Sequence, residues 1–265
     1  MAKHIHIVAC SPRSGTSLLQ ELMTTCFRID DFCAHERSIF RTAGMHGDVV
    51  CTKNPREVPY MQWALLLNPD LYVIYVLRDP RSVIVSRHKQ SPDQYYSNLR
   101  VWREFESYRR RLEGHQRFLV VKYEELVTAP DAVQENIKLL LPFLEERCAF
   151  SEFHRHARPS ERTARALNGL RPVAADRLLE WQKHLPRVKA QLQRFGDISA
   201  ELVELGYEPD SNWMDQLRGV EPMYFDSVLD DTWRSMSTFK MKYRVFRKVV
   251  VYAVERLLHR QDKRG

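Results

Sequence analysis

The sequence lacks any apolar stretch of about 18 residues, the length a membrane-spanning helix needs, and none of its five cysteines, 10, 26, 33, 51 and 148, belongs to a Cys-x-x-Cys pair. The first absence excludes a helical membrane span. The second, with an odd cysteine count, speaks against a disulfide framework or a zinc ribbon, so the thiols are expected to be reduced, small and mostly buried. His154 and His156 with Cys148 have no carboxylate or second cysteine to complete a tetrahedral set, so no metal site is expected there. Internal repeats and low-complexity tracts are also missing. The chain opens on an apolar strand pattern and not on a charged n-region with a signal h-region, which makes cytoplasm the expected compartment.

At 265 residues, 28% charged and 44% hydrophobic, the chain suits one α/β domain with an appendage. Its net charge of +7 is uneven: residues 234–265 hold ten Lys or Arg against two Asp or Glu, a net of +8 that leaves −1 for everything before them. A nucleic-acid-binding reading of the whole chain loses most of its support there. Apolar residues at 239, 243, 246, 250, 253, 254, 257 and 258 share one helical face, interleaved with basic ones. This tail is expected either to pack its stripe on the domain or to dock through residues 239–260 on an anionic membrane surface or a partner. The expected division is 1–212 for the main domain and 213–265 for the extension.

Four short β-branched runs read as buried parallel strands: 5–9, 49–52, 71–77 and 118–121. Helical patterns alternate with them at 15–26, 55–67, 80–89, 95–112 and 131–144, with closing helices at 173–194 and 198–205. Alternation of this kind predicts a three-layer α/β fold, a central parallel sheet flanked by helices, with ligands at the carboxyl ends of the strands. The stretch 151–172, containing Arg158, Arg162, Arg165 and Arg171, reads as a long surface segment.

The first strand runs into Cys10-Ser-Pro-Arg-Ser-Gly-Thr-Ser17 and then a helix. A turn of this type offers backbone N–H groups and a positive helix end to an anion. The triphosphatase loop places Lys directly after its second glycine and a metal-binding hydroxyl next; here Thr16 follows Gly15, and the loop's one cation, Arg13, precedes it. A planar guanidinium in that place suits a phosphate together with a bridging leaving-group oxygen. A second stretch, Leu71 to Arg87, ends a buried strand at Arg78 and opens a helix at Pro80, with Ser86 expected two turns in and facing Arg78. Taken alone, the first stretch is also an ordinary strand-to-helix turn and the second a capped helix with a surface ion pair. Together they suggest a grip on two anionic groups.

With both stretches present, the sequence resembles the sulfotransferase family, whose donor is 3′-phosphoadenosine-5′-phosphosulfate (PAPS). Ser11 to Ser17 resembles its 5′-phosphosulfate loop and Arg78 to Ser86 its 3′-phosphate motif; Val120 to Leu126 and Trp181 to Glu208 extend the likeness over roughly residues 1–210. Arg at position 13, Cys33-Ala-His-Glu36 and Val50-Cys-Thr-Lys53 are similar to the tyrosylprotein and bacterial carbohydrate branch, and the acceptor-base signature of cytosolic small-molecule enzymes is missing.

The resemblance implies that Arg13 binds the 5′-phosphate and bridging oxygen, that Ser14, Gly15, Thr16 and Ser17 complete the cradle, and that Arg78 and Ser86 hold the 3′-phosphate. It implies further that Lys53 donates to the sulfuryl oxygens, that Tyr123 contacts the nucleotide, and that Glu36 is the general base, with His35 its rival. Sulfuryl transfer then proceeds by in-line displacement without a metal, on a glycan, glycolipid or phenolic hydroxyl, and releases 3′-phosphoadenosine-5′-phosphate (PAP). Two other readings stay open: a kinase-like phosphotransferase with Asp79 on a metal, and a non-enzymatic membrane-surface or nucleic-acid-binding protein acting through its basic tail.

Overall fold

The computed structural model describes residues 2–41, 44–88, 91–161, 164, 169–229, 243 and 246–254. Strands β1 (Lys3–Ala9), β2 (Asp31–Phe32), β3 (Val49–Lys53), β4 (Leu71–Leu77) and β7 (Phe118–Lys122) form one parallel sheet in the order β2-β3-β1-β4-β7, and β5 (Arg87–His88) with β6 (Ser91–Tyr95) forms a separate hairpin. β1 is central: Ile7 sits beside Lys53 of β3 on one side and Ile74 of β4 on the other. Its flanking crossovers leave in opposite directions, which opens a crevice at its carboxyl end.

Near-continuous burial of β1 and β4 follows from helices covering both faces. On one side Ile5, Ile7 and Ala9 pack with Leu19, Leu22 and Met23 of α1 (Thr16–Cys26) and with Ile137 and Phe150. On the other, Val8, Val73 and Tyr75 meet Met61 and Leu65 of α2 (Met61–Leu67) and Trp102 and Phe105 of α4 (Leu99–Arg110). Four of the five cysteines are buried, as expected, and Cys148 is half-buried with Sγ 2.9 Å from Cys26 Sγ.

The sequence pattern misplaces several boundaries, each for a local reason. The helix expected over 55–67 splits into a 3-10 turn, Pro55–Tyr60, and α2, because Pro59 inside it cannot donate the i→i−4 bond. The helix expected over 80–89 stops early, as α3 (Pro80–Ile84). Asp79 caps its start by accepting from Arg81 N at 2.8 Å, but Val83-Ile84-Val85 is a β-branched run with low helical preference. Ser86 therefore lies beyond the helix, its N–H on the Val83 carbonyl at 3.2 Å and its carbonyl accepting from Tyr96 N at 2.8 Å. Arg81 fastens this turn to the rest of the fold: it pairs with Asp79 at 2.7 Å and with Glu208, and its guanidinium lies 4.2 Å from the Trp181 ring and 5.0 Å from the Trp213 ring. The closing helix expected over 173–194 covers only Leu185–Phe195, after a 3-10 turn at Glu180–His184.

Part of the basic tail is helical, over 246–254, and packs on the domain by an unexpected face. Tyr243, Phe246, Val250 and Val254 of the apolar stripe are exposed, and its members 239, 257 and 258 lie outside the described residues. The inward residue is Tyr252, whose hydroxyl accepts from Asn68 Nδ2 at 2.9 Å and whose ring meets Phe40 edge-on at 5.3 Å. Beside it Lys248 lies 4.7 Å from the Tyr60 ring centre. The domain offers aromatic faces and an amide at this spot, which match an amphipathic tyrosine and a cation better than an aliphatic row.

Candidate active site

A cavity of about 750 Å³ opens at the carboxyl end of the sheet. Every strand of the parallel sheet brings a predicted residue towards this end: Arg13 to Ser17 after β1, Glu36 after β2, Lys53 at the end of β3, Arg78 after β4 and Tyr123 after β7. The lining includes Arg13, Gly15, Thr16, Ser17, Glu36, Arg78, Ser86 and Tyr123, so two stretches more than 60 residues apart in sequence meet in one space.

The loop is shaped by two left-handed residues. Arg13 has φ 75°, the lone positive value at a non-glycine among the described residues, and Gly15 has φ 101°. Such a conformation costs an L-residue about 1–3 kcal/mol and persists where the surroundings fix it. They do so here: Arg78 Nη1 donates to the Arg13 carbonyl at 2.9 Å, and Ser11 Oγ donates to Ser97 Oγ at 2.9 Å. Gly15 is required twice, since a Cβ there would come within 2.4 Å of Tyr123 Cδ2. The Tyr123 ring in turn carries the Arg78 guanidinium 4.2 Å from its centre.

Three predicted residues stand apart from the lining. Ser14 is buried with Oγ 3.1 Å from Cys10 Sγ, so its hydroxyl braces the loop from beneath. Burial pushes the Cys10 thiol up to about 12, so it stays neutral. Lys53 is buried behind the loop and donates from Nζ to Ser17 Oγ at 2.7 Å. Its pKa is lowered, first by burial and against the opposing pull of nearby groups that include Cys33 and Glu36. His35 is exposed and is not part of the cavity wall, whereas its neighbour Glu36 is.

The charge in the site is concentrated. The Arg13 guanidinium is driven below its ordinary value first by burial and then by Arg78, with Arg177 acting in the same sense. An arginine keeps its proton under such pressure, so the positive charge stays in the cavity. Arg78 Nε is buried without a hydrogen-bond partner. Behind Arg78, Glu124 accepts from Asp79 N at 3.0 Å and from Tyr207 Oη at 3.2 Å, and burial raises its pKa.

The opposite wall is formed largely by 169–184, including Arg171, Arg177, Glu180 and His184. Arg171 pairs with Asp176 at 3.0 Å. Of the other arginines singled out nearby, Arg158 lines a separate cavity of about 260 Å³, and Arg162 and Arg165 lie outside the described residues. Arg177 was missed because 173–194 has helical spacing, which assigns it to a solvated face; the signal that could have found it is the density of arginine from 158 to 177. Among the described residues no group of three or more His, Cys, Asp or Glu is placed to hold a metal ion.

Residues 34–141 match the family model described as Sulfotransferase family. That segment, less than half of the chain, is similar to the sulfotransferase family. It takes in Glu36, Lys53, Arg78, Ser86 and Tyr123, while the Arg13 loop lies upstream of it. The structure is similar to that of mouse sulfotransferase SULT7A1 complexed with PAP, with a TM-score of 0.42, 16% identity and coverage of 94% of this chain and 89% of that one. It is also similar to the sulfotransferase domain from the curacin biosynthetic pathway, with a TM-score of 0.39, 14% identity and coverage of 69% and 97%. Retinol dehydratase in complex with androsterone and inactive cofactor PAP gives a TM-score of 0.34, 12% identity and coverage of 84% and 82%. Likeness at this level fixes neither residue roles nor substrate. No curated protein sequence matches the chain.

Proposed function

We propose that this protein transfers the sulfuryl group of PAPS to an acceptor hydroxyl, releasing PAP. The observation that carries the reading is the meeting of Arg13 and Arg78 in one cavity, joined by the Arg78 to Arg13 carbonyl bond, with a buried Arg78 Nε left unpartnered. Arg13 and the Gly15 to Ser17 cradle hold the 5′ end of the donor, Arg78 and Ser86 the 3′-phosphate, and Tyr123 the nucleotide. The acceptor oxygen forms its bond to sulfur as the bond from sulfur to the bridging phosphate oxygen breaks. Glu36 takes the hydroxyl proton, in preference to His35, because it faces the cavity. Charge moves on to the bridging oxygen and the equatorial oxygens, where Arg13 donates and Lys53, bonded to Ser17 behind the cradle, adds its positive charge. A sulfuryl group carries less charge than a phosphoryl group, so these two cations suffice and no metal is needed.

The reading is tested by calorimetry with PAP in EDTA. Wild type is expected to bind, Arg13→Ala to lose at least about 10²-fold in affinity, and Ser86→Ala about 10-fold, the scale of losing a charged or a neutral hydrogen bond. Absence of binding by wild type refutes the proposal. Restoration by a divalent ion together with preference for ATP supports the kinase-like reading with Asp79 on the metal; the burial of Asp79 against Arg81 opposes it.

Residues 1–212 form the catalytic part in this reading and 213–265 its extension. No helix among the described residues is long and apolar enough to cross a membrane. The exposed Phe246, Val250 and Val254 row, within a segment of net charge +8, favours peripheral docking of a cytoplasmic protein on an anionic bilayer and, with it, a glycolipid acceptor. Co-sedimentation with vesicles containing phosphatidylserine, but not with phosphatidylcholine alone, is expected. Phe246→Glu with Val250→Glu is expected to cut it at least about 10-fold; unchanged binding by this variant refutes the docking face.

A further inference from the structure

Glu57 takes no part in the grip described above, yet its buried carboxylate is bonded on both oxygens. It sits in the Pro55–Tyr60 turn, buried, one turn beyond Lys53. Its Oε1 accepts from Ser38 Oγ at 2.5 Å and its Oε2 from Ile39 N at 2.8 Å. His6 Nε2 of β1 lies 3.3 Å from Oε2, and Lys248 Nζ of the tail helix lies 3.8 Å from Oε1. His6 is itself oriented through Nδ1 by Thr52 Oγ1 at 2.7 Å, which also meets His4 Nε2 at 2.6 Å. Burial alone would raise the Glu57 pKa, but the groups at His6, Ser38 and Ile39 outweigh it and hold the carboxyl below its ordinary value.

These bonds matter because of what they hold. Between β2 and β3 the described chain contains no helix and no strand, so the place of Glu36 is not set by backbone ladders. It is set by anchors immediately after it: Arg37 N on the Lys53 carbonyl at 2.9 Å, Ser38 and Ile39 on Glu57, and the Phe40 ring between Tyr60 at 5.4 Å and Tyr252 at 5.3 Å. The Glu57 carboxylate thus ties the segment bearing the proposed base to the turn that follows Lys53. The tail helix closes over the same place through Lys248 and Tyr252.

We infer that Glu57 is a positioning residue, which pins Ser38 and Ile39 so that Glu36 is presented to the cavity beside Lys53. The inference rests on the sulfuryl-transfer reading for its catalytic consequence, and on geometry alone for the contact. Removing the carboxylate leaves the Ser38 hydroxyl and the Ile39 amide without their acceptor, and lets Glu36 drift while the nucleotide grip on Arg13 and Arg78 stays whole.

The test compares wild type, Glu57→Ala, Glu57→Gln and Ser38→Ala in the full chain. Glu57→Ala is expected to lower kcat about 10²-fold, the cost of roughly an ångström of misplacement, with the Kd for PAP within about twofold of wild type. Glu57→Gln, which keeps one acceptor oxygen, is expected to recover about 10-fold of that loss, and Ser38→Ala to lose about 10-fold in kcat. Amide exchange at Ile39 is expected to speed up in Glu57→Ala, while β1 stays protected. A kcat within threefold of wild type, or a Kd that worsens in step with kcat, overturns the inference. If Glu57→Ala does not fold, Ser38→Ala decides by the same two measurements. Should wild type fail to bind PAP, the sulfuryl-transfer reading falls on its own. Retained protection of Ile39 in Glu57→Ala then still overturns the anchoring.

Discussion

Lys53→Met is expected to lower the single-turnover rate of sulfuryl transfer by about 10²–10³-fold, the usual cost of removing one donor from a developing anion, with PAP affinity within about threefold of wild type. The side chain ends β3, is buried, and donates to Ser17 Oγ at 2.7 Å, so its charge sits behind the cradle and acts on what develops there. Burial lowers its pKa below that of a free lysine. The catalytic form is the protonated one. Wild-type activity should therefore fall as pH rises through that lowered value, earlier than an ordinary lysine would allow; Lys53→Arg should shift the fall to higher pH, and Lys53→Met should remove it. The stability effect has the opposite sign: the folded state holds this proton less well than the unfolded chain does. The penalty is present below the lowered pKa and relieved above it, so Lys53→Met is expected to melt no lower than wild type at neutral pH. A rate within fivefold of wild type, or an unchanged alkaline limb in Lys53→Met, would rule out the role assigned to Lys53.

Gly15→Ala is expected to abolish measurable nucleotide binding, a loss of more than about 10³-fold, in a protein whose sheet remains folded. Two costs add. An alanine at φ 101° adopts a backbone that L-residues avoid, at about 1–3 kcal/mol, and its Cβ would lie 2.4 Å from Tyr123 Cδ2 and 2.8 Å from Cε2. Overpacking of this kind costs about 1–3 kcal/mol more. The tyrosine cannot swing away freely, because its other contact is the Arg78 guanidinium at 4.2 Å. Strain at Gly15 is therefore passed to both anion grips at once, the Arg13 loop directly and Arg78 through the ring. Adding Tyr123→Ala relieves the collision but neither the backbone strain nor the lost stacking, so the double variant is expected to stay weak. Circular dichroism checks the fold and calorimetry with PAP checks the site; tight binding by Gly15→Ala would refute the account of the loop.

The fold was largely legible because its signals are local. Short β-branched runs separated by helical periods have one economical solution, a parallel sheet covered on both faces, and Ile5 to Ala9 and Leu71 to Leu77 occupy its centre. Boundaries failed where a local rule was overridden: Pro59 tightened a helix into a 3-10 turn, and the run Val83 to Val85 ended another early and set Ser86 on a turn. The tail was left open between a packed stripe and a docking face; burial goes to whichever face the domain can receive, and the rings of Phe40 and Tyr60 receive Tyr252 and Lys248 while Phe246, Val250 and Val254 stay exposed.

The sequence by itself supplied the residues of the proposed anion grip: an arginine in place of the triphosphatase lysine, a second cation after a buried strand, and a lysine after another. Those are identities and spacings, and they survive without coordinates. Only the tertiary structure decided which of them share a space. It turned Ser14 inward to Cys10, put Glu36 and not His35 on the cavity wall, brought Arg177 beside Arg13 from more than 160 residues away, and made Glu57 the anchor of the segment that bears Glu36. The reason is physical: a strand's carboxyl end is a local property of the chain, but the order β2-β3-β1-β4-β7, which sets what lies next to what, is decided only by packing the whole sheet.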